Sequence, residues 1–265
     1  SHATYYFIAA GCFLSLGNNE KAQELFDAIP ELLERKGTGK VGGKPPPTEV
    51  LIAKKLEFYK QKNRRQGKDE KRFIESIKIS PAEELALFWN THTRISPEVA
   101  KAHITDLASL TPPVTINSRY IDTSIGNTSG DVDLSTPDEL ALRSLFMGVI
   151  HRTLGDFEAS RKFLADSVGY QSKIEVSTWI GGVATFEMSV LDLKEMEAVE
   201  RRTAAADQAA LRNQWLEILS KANEKLDTAS GLAPNSVDLS GRLGSRIEML
   251  RDEIGGVYGS GIAWD

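Results

Sequence analysis

Nine basic side chains fall between Lys54 and Arg72: Lys54, Lys55, Lys60, Lys62, Arg64, Arg65, Lys68, Lys71 and Arg72, against Glu57, Asp69 and Glu70. Interleaved Leu56, Phe58 and Tyr59 give the run an amphipathic, helical look. One reading is a helix with a solvated basic face. The other is a contact for an acidic protein partner or an anionic membrane or droplet surface, where each basic residue is worth about 1 kcal/mol. The side chains singled out for that contact are Lys54, Lys55, Lys62, Arg64, Arg65, Lys68 and Arg72.

Other chemistry is thinner. Gly39-Lys40-Val41-Gly42-Gly43-Lys44 hints at a phosphate cradle, but Pro45 stands where a P-loop needs Ser or Thr and the glycine spacing is wrong. Asp131-Val132-Asp133-Leu134-Ser135 resembles the opening of a calcium loop, yet its sixth and twelfth positions are Thr136 and Leu142 instead of Gly and Glu. His92, His103 and His151 are too scattered for a zinc site, and each reads as a satisfied core or surface histidine. Cys12, the single cysteine, lies in an apolar run that predicts a buried, inert thiol, and a lone thiol suits a reducing compartment. No nucleophile, acid–base pair or metal set emerges, so no enzyme, cofactor or metal is expected. The formal charge of -5 argues against nucleic acid as a partner.

The elements that must position these side chains are helices. Apolar residues recur at three-and-four spacing over 4–16, 20–35, 49–60, 82–90, 98–110, 138–154, 157–168, 176–193, 214–229 and 237–254. Ser80-Pro81-Ala82-Glu83 and Thr136-Pro137-Asp138-Glu139 carry the cap, the first-turn proline and the returning glutamate of a capping box; Ser96-Pro97-Glu98 is a weaker version. Val114 to Ile125 is expected to continue the neighbouring helices. Gly37 to Pro47 and Asn127 to Ser135 read as loops, and Gly255 to Asp265 as a glycine-rich tail with Trp264. The apolar run Tyr5 to Leu16 is too short to cross a bilayer.

The helices come in pairs. Residues 3–34 place Tyr6, the small Ala9 and Ala10, and Phe13 on a first helix, a Gly17-Asn18 turn, then Ala22 and Phe26 on a second. This is the large–small–aromatic pattern of a tetratricopeptide hairpin. Residues 141–170 repeat it with Gly148, the Leu154-Gly155-Asp156-Phe157 turn, Ser160 and Leu164, and with His151 in the aromatic place. A third unit over 176–229 sets Trp179, Gly182 and Phe186 against Ala222, Leu226 and Ala229, with the polar Lys194–Arg212 as extra helix. A degenerate unit over 82–110 and a C-terminal helix over 236–255 complete an all-α solenoid in a single repeat domain. Ser1-His2 running straight into helical pattern, without an initiator methionine, predicts a fragment of a longer protein.

Tyr5-Tyr6-Phe7-Ile8-Ala9-Ala10-Gly11, Lys21-Ala22-Gln23-Glu24-Leu25-Phe26, Pro47-Thr48-Glu49-Val50, Ser80-Pro81-Ala82-Glu83-Glu84-Leu85 with Phe88-Trp89-Asn90, and Ser240-Gly241-Arg242-Leu243-Gly244-Ser245-Arg246 together resemble the C-terminal part of the inclusion body clearance protein / tetratricopeptide repeat protein 39 family. The resemblance implies an intracellular eukaryotic protein with a further N-terminal half and no catalytic residue. It also implies a fungal branch linked to clearing inclusions with lipid droplets, and cytoplasmic, nuclear or mitochondrial outer-membrane locations. The expected function is a scaffold for protein–protein contacts, with lipid-droplet proteins and the chain's own N-terminal half among the partners; a lipid or sterol binder with an apolar pocket between helices is the alternative. Phe7, Gly11 and Leu14 stand where chaperone-binding relatives carry a polar carboxylate clamp. This apolar face therefore predicts a cover, supplied by the N-terminal half or by later helices of this chain.

Overall fold

A computed structural model describes residues 2–34, 46–121, 132–203, 208–232 and 240–259, and among them every regular element is helical. The first pair is α1 (His2–Ser15) and α2 (Asn19–Glu34). Ala10 and Ala22 are fully buried between them, and Phe7 meets Phe26 edge-on at 5.8 Å. Gly17 turns the chain at φ +73°, a conformation that glycine adopts without steric cost.

The pair α6 (Pro137–Thr153) and α7 (Phe157–Gly169) repeats this hydrogen for hydrogen. Gly17 N–H to Leu14 O and Asn18 N–H to Phe13 O correspond to Gly155 N–H to Arg152 O and Asp156 N–H to His151 O. Gly148 stands in the place of Ala10, where a methyl group would lie 2.6 Å from Leu164 Cγ. Ser160 Oγ donates to Gly148 O at 2.7 Å, so the two helices touch through backbone. Small residues at the crossing are thus a packing requirement.

Next in line, α8 (Ile180–Glu200) packs on α7 and pairs with α9 (Gln208–Leu232). A methyl on Gly182 would come 3.3 Å from Ala229 O, and Ser189 Oγ donates to Ala222 O at 3.2 Å. The polar stretch from Lys194 lengthens α8 through Glu200. The last helix, α10 (Ser240–Gly259), rests on α9 and α8. Between the repeats lie α3 (Pro47–Arg65), α4 (Pro81–Phe88) and α5 (Pro97–Ser109). The expected 82–110 hairpin is arranged differently: α4 packs on α1, and α5 on α6.

Several expectations are corrected. The basic run is not one helix: α3 stops at Arg65, Gly67 turns at φ +71°, and Glu70–Ser76 forms a 3-10 segment. Residues 114–121 are extended and turned instead of helical, because Pro112 and Pro113 remove backbone donors at the start of the segment. Thr136 caps α6, its Oγ1 accepting from Glu139 N–H, while Glu139 reaches back one residue further than in a capping box and accepts from Ser135 N–H at 3.1 Å. The Ser80 box does not form. Ser80 Oγ instead donates to Gly11 O at 3.2 Å, and Glu83 faces His103 Nδ1 at 3.5 Å. Cys12 is exposed on α1, not buried. The glycine–lysine loop at 39–44, residues 122–131 and the tail with Trp264 lie outside the described residues.

The apolar face of α1 is covered by this chain's own helices. Phe7 is buried, and a methyl on Gly11 would lie 2.6 Å from the backbone nitrogen of Ala82 on α4. Leu14 remains half-buried. No helix among the described residues is long and apolar enough to cross a membrane.

Candidate functional site

The structure divides the basic run into two groups. Lys55 and Lys62 are turned into the core and are corrected as surface contacts. They lie seven positions apart on α3, in register with the buried Ile52, Leu56 and Tyr59. Lys55 Nζ pairs with Glu84 at 2.7 Å and lies 5.3 Å from the centre of the Tyr59 ring. Lys62, 1% exposed, pairs with Glu139 and donates to Ser76 O at 2.9 Å and Asp133 O at 2.6 Å. Burial lowers the pKa of its ammonium, and the Glu139 carboxylate opposes that shift. Buried next to Lys55 and Glu84, Tyr59 has its phenol pushed well above the usual range, by desolvation first and by the Glu84 and Glu139 charges second.

These lysines join remote parts of the chain. Glu84 also accepts from Ser177 Oγ at 3.1 Å, and Asp138 accepts from the backbone N–H groups of Glu175, Val176 and Ser177. Lys54, Arg64, Arg65, Lys68 and Arg72 are exposed. Of these, Arg64 is paired with Glu70 and Arg72 with Glu75, which neutralises part of the expected basic face.

A second constellation was not singled out from sequence. The Phe88-Trp89-Asn90 end of α4 and the Arg242…Arg246 face of α10 meet in a cleft of about 760 Å3, whose floor and walls include Pro46, Pro47 and Met249. Asn90 adopts φ 60°, a left-handed conformation that asparagine tolerates better than most residues, and its Oδ1 accepts from Arg246 at 3.1 Å. Arg246 also pairs with Glu187 at 2.5 Å and lies 4.3 Å above the Phe186 ring. Glu187, fully buried, pairs in turn with Arg152 at 2.5 Å. Burial alone would raise the Glu187 carboxyl, but the two guanidinium groups outweigh it and hold its pKa at about 2. Arg242 stacks over Phe88 at 5.8 Å. A recess of about 240 Å3 continues the cleft past Arg246 and Glu187.

The signal available in the sequence was the spacing. Arg242, Arg246 and Met249 recur at four and three positions and so share one helix face. Nothing local to α10 indicates that Asn90, 156 residues away, completes it.

The histidines do not cluster. His92 is buried close to Glu187, Arg152 and Arg246; desolvation lowers its pKa to about 4, opposed by the Glu187 charge and by a hydrogen bond with the Ala86 backbone. It is a core histidine. His151 is satisfied: Nδ1–H donates to Met147 O at 2.6 Å, and Nε2 accepts from Ser118 Oγ at 2.7 Å. Its ring lies 5.0 Å from Phe163, filling the aromatic place of the repeat. A cleft of about 850 Å3 beside it runs from Ser118 and Arg119 along the start of α7 to Val199 and Arg202. Asp133, in the polar loop before Thr136, accepts from Thr111 N–H and Oγ1 at 3.0 and 2.9 Å. No group of three or more metal-ligating side chains occurs among the described residues.

Comparison with known proteins agrees with this architecture. The chain is 26% identical over 204 residues to the inclusion body clearance protein iml2 of Neosartorya fischeri, covering 71% of this chain and 26% of that protein. To the proteins of that name in Candida glabrata and Saccharomyces cerevisiae it is 26% and 28% identical over 183 residues, covering 63% of this chain and 22% of each relative. The chain thus spans about a quarter of the length of the curated relatives it matches. No solved structure matches it. The family model described as Iml2/Tetratricopeptide repeat protein 39 matches residues 1–154, the stretch holding both the α1–α2 pair and α6 of the second pair, and the chain belongs to that family.

Proposed function

We propose that the chain is a protein-interaction scaffold that serves the clearance of protein inclusions. The observation that carries this reading is the open cleft at which the Phe88-Trp89-Asn90 and Arg242–Arg246 segments meet, on a repeat fold of the kind that binds partners across its surface. Three relatives bear the name inclusion body clearance protein, which supplies the process. The lipid or sterol alternative has less support, because the described clefts are lined by charged side chains such as Arg242, Arg246, Glu195 and Arg202. Ligand pockets for lipids are mostly apolar.

The reading includes a cytoplasmic setting, and a contact between the exposed Lys54, Arg64, Arg65, Lys68 and Arg72 and an anionic droplet surface or droplet protein. Clearance is tested with a fluorescent aggregation reporter after heat stress, in cells lacking the protein, with and without re-expression. Equal clearance in both sinks the process; in-cell crosslinking that yields no stoichiometric protein partner sinks the scaffold. Flotation with artificial droplets tests the basic contact, which is lost as a reading if reversing the charges of Arg64, Arg65 and Lys68 leaves flotation unchanged.

A further inference from the structure

We infer that the cleft between α4 and α10 takes an acidic, extended segment of a partner protein, one with an aspartate or glutamate beside a bulky apolar residue. The inference rests on the scaffold reading and names the chemistry of what is bound.

Charge is the first argument. The described lining of the cleft holds two arginines, Arg242 and Arg246, and no carboxylate. Arg152 lies directly behind Arg246, and Glu187 is the one acid between them. With the adjoining recess included, the three guanidinium groups of Arg152, Arg242 and Arg246 stand against two carboxylates, Glu187 and Glu253, which leaves one net positive charge on a chain whose formal charge is -5. His92, behind this cluster, has its pKa at about 4 and adds no charge at neutral pH.

The two arginines are not equivalent. Arg246 is already held by Glu187, Asn90 and the Phe186 ring. Arg242 is exposed, lies on the Phe88 ring and meets no carboxylate among the described residues. A guanidinium oriented by an aromatic face, and with no ion pair among the described residues, presents a planar fork that fits a carboxylate bidentately.

Apolar surface is the second argument, and it selects a peptide over an isolated anion. Met249 is 65% exposed, and Phe88, Pro46 and Pro47 line the same cleft. A volume of about 760 Å3 has room for more than one side chain. A thioether is polarisable and adapts its shape to an incoming apolar group. A phosphate or lipid headgroup would use the arginines and leave this strip uncovered, whereas successive side chains of an extended peptide, which point to opposite sides, reach both.

The test is fluorescence anisotropy with the purified chain and a fluorescein-labelled peptide with a central Glu-Leu-Asp-Phe. Its partner peptide carries Gln and Asn at the two acidic positions. The expected result is a preference for the acidic peptide of about tenfold or more. Arg242→Glu should abolish that preference, and Met249→Glu should weaken the binding of both peptides. Lys21→Glu, on the exposed face of α2 away from the cleft, should change neither. Arg242 and Met249 are exposed, so these variants keep the helical circular dichroism of the parent. Equal binding of the two peptides, or a preference that survives Arg242→Glu, overturns the inference. Phosphatidylserine vesicles that displace the peptide from the parent and bind it through Arg242 also overturn it, in favour of a headgroup. Stoichiometric in-cell crosslinks to protein partners alongside failed peptide binding would reject this occupant while the scaffold stands.

Discussion

Replacing Lys62 with methionine separates a structural lysine from a surface one. Methionine keeps the length and flexibility of the stem and removes the ammonium. In the folded chain that ammonium meets the Glu139 carboxylate and two backbone carbonyls, Ser76 O at 2.9 Å and Asp133 O at 2.6 Å. After the substitution Glu139 still accepts from Ser135 N–H and Thr136 Oγ1, but its charge stays buried without a counterion. Breaking one side of a buried pair costs about 3–5 kcal/mol, and that figure already includes most of the loss at the two carbonyls. Urea unfolding followed by circular dichroism should show a lower midpoint, while Arg64→Met, in an exposed pair, leaves the midpoint where it was. The double variant Lys62→Met with Glu139→Met should recover part of the loss, because an apolar pair of similar size removes the stranded charge. A Lys62→Met chain within about 1 kcal/mol of the parent would refute the reasoning, since the energy rests on the pair being desolvated.

Three further outcomes follow from the same core. Gly11→Ala places a methyl 2.6 Å from a backbone nitrogen that cannot rotate away; overpacking of about 1–3 kcal/mol should outweigh the helix propensity gained, read as a drop in melting temperature. His92 has a folded pKa of about 4, below the roughly 6.5 of the unfolded chain, so the unfolded state binds more protons between these values. Its contribution is therefore present above about pH 6.5 and lost as pH falls toward 4, up to about 3 kcal/mol; His92→Leu should flatten the urea midpoint between pH 7 and pH 5. Glu187, held at about 2 against roughly 4.3 when unfolded, contributes stability above the unfolded value that is lost as pH falls through the folded one. Glu187→Gln strands Arg152 and Arg246 and should lower the neutral-pH midpoint by about 3–5 kcal/mol equivalent, with a shallower acid limb.

The family-bearing segments are packing devices, whose residue types are visible in the sequence without their roles. Ser80 looked like a helix cap and is instead the hydrogen-bond link between α4 and α1. Glu84, visible only as part of a family-bearing segment, is the buried partner of Lys55 and Ser177. Asn90 and Arg246 were both in view, but their pairing spans two helices that no local pattern connects. Lys55 and Lys62 carried a usable signal, since they fall on the apolar face of α3 with Ile52, Leu56 and Tyr59; charge alone made them look exposed.

The sequence by itself determined most of the helices and, though not the packing of α4 on α1 and of α5 on α6, the pairing of α1 with α2, α6 with α7 and α8 with α9. Those features follow from interactions within one turn or between adjacent helices: glycine at positive φ in Gly17 and Gly155, Asp156 and Thr136 as caps, and small residues at the α6–α7 and α8–α9 crossings. Only the tertiary structure decided which charges are buried and which are free to meet a partner. A lysine three residues from an arginine has the same local chemistry, and its fate depends on whether a carboxylate such as Glu84 or Glu139 arrives from elsewhere in the chain to offset its desolvation. The cleft at Arg242 is of the same kind, because its walls belong to helices brought together by the core beneath them and by no sequence neighbourhood.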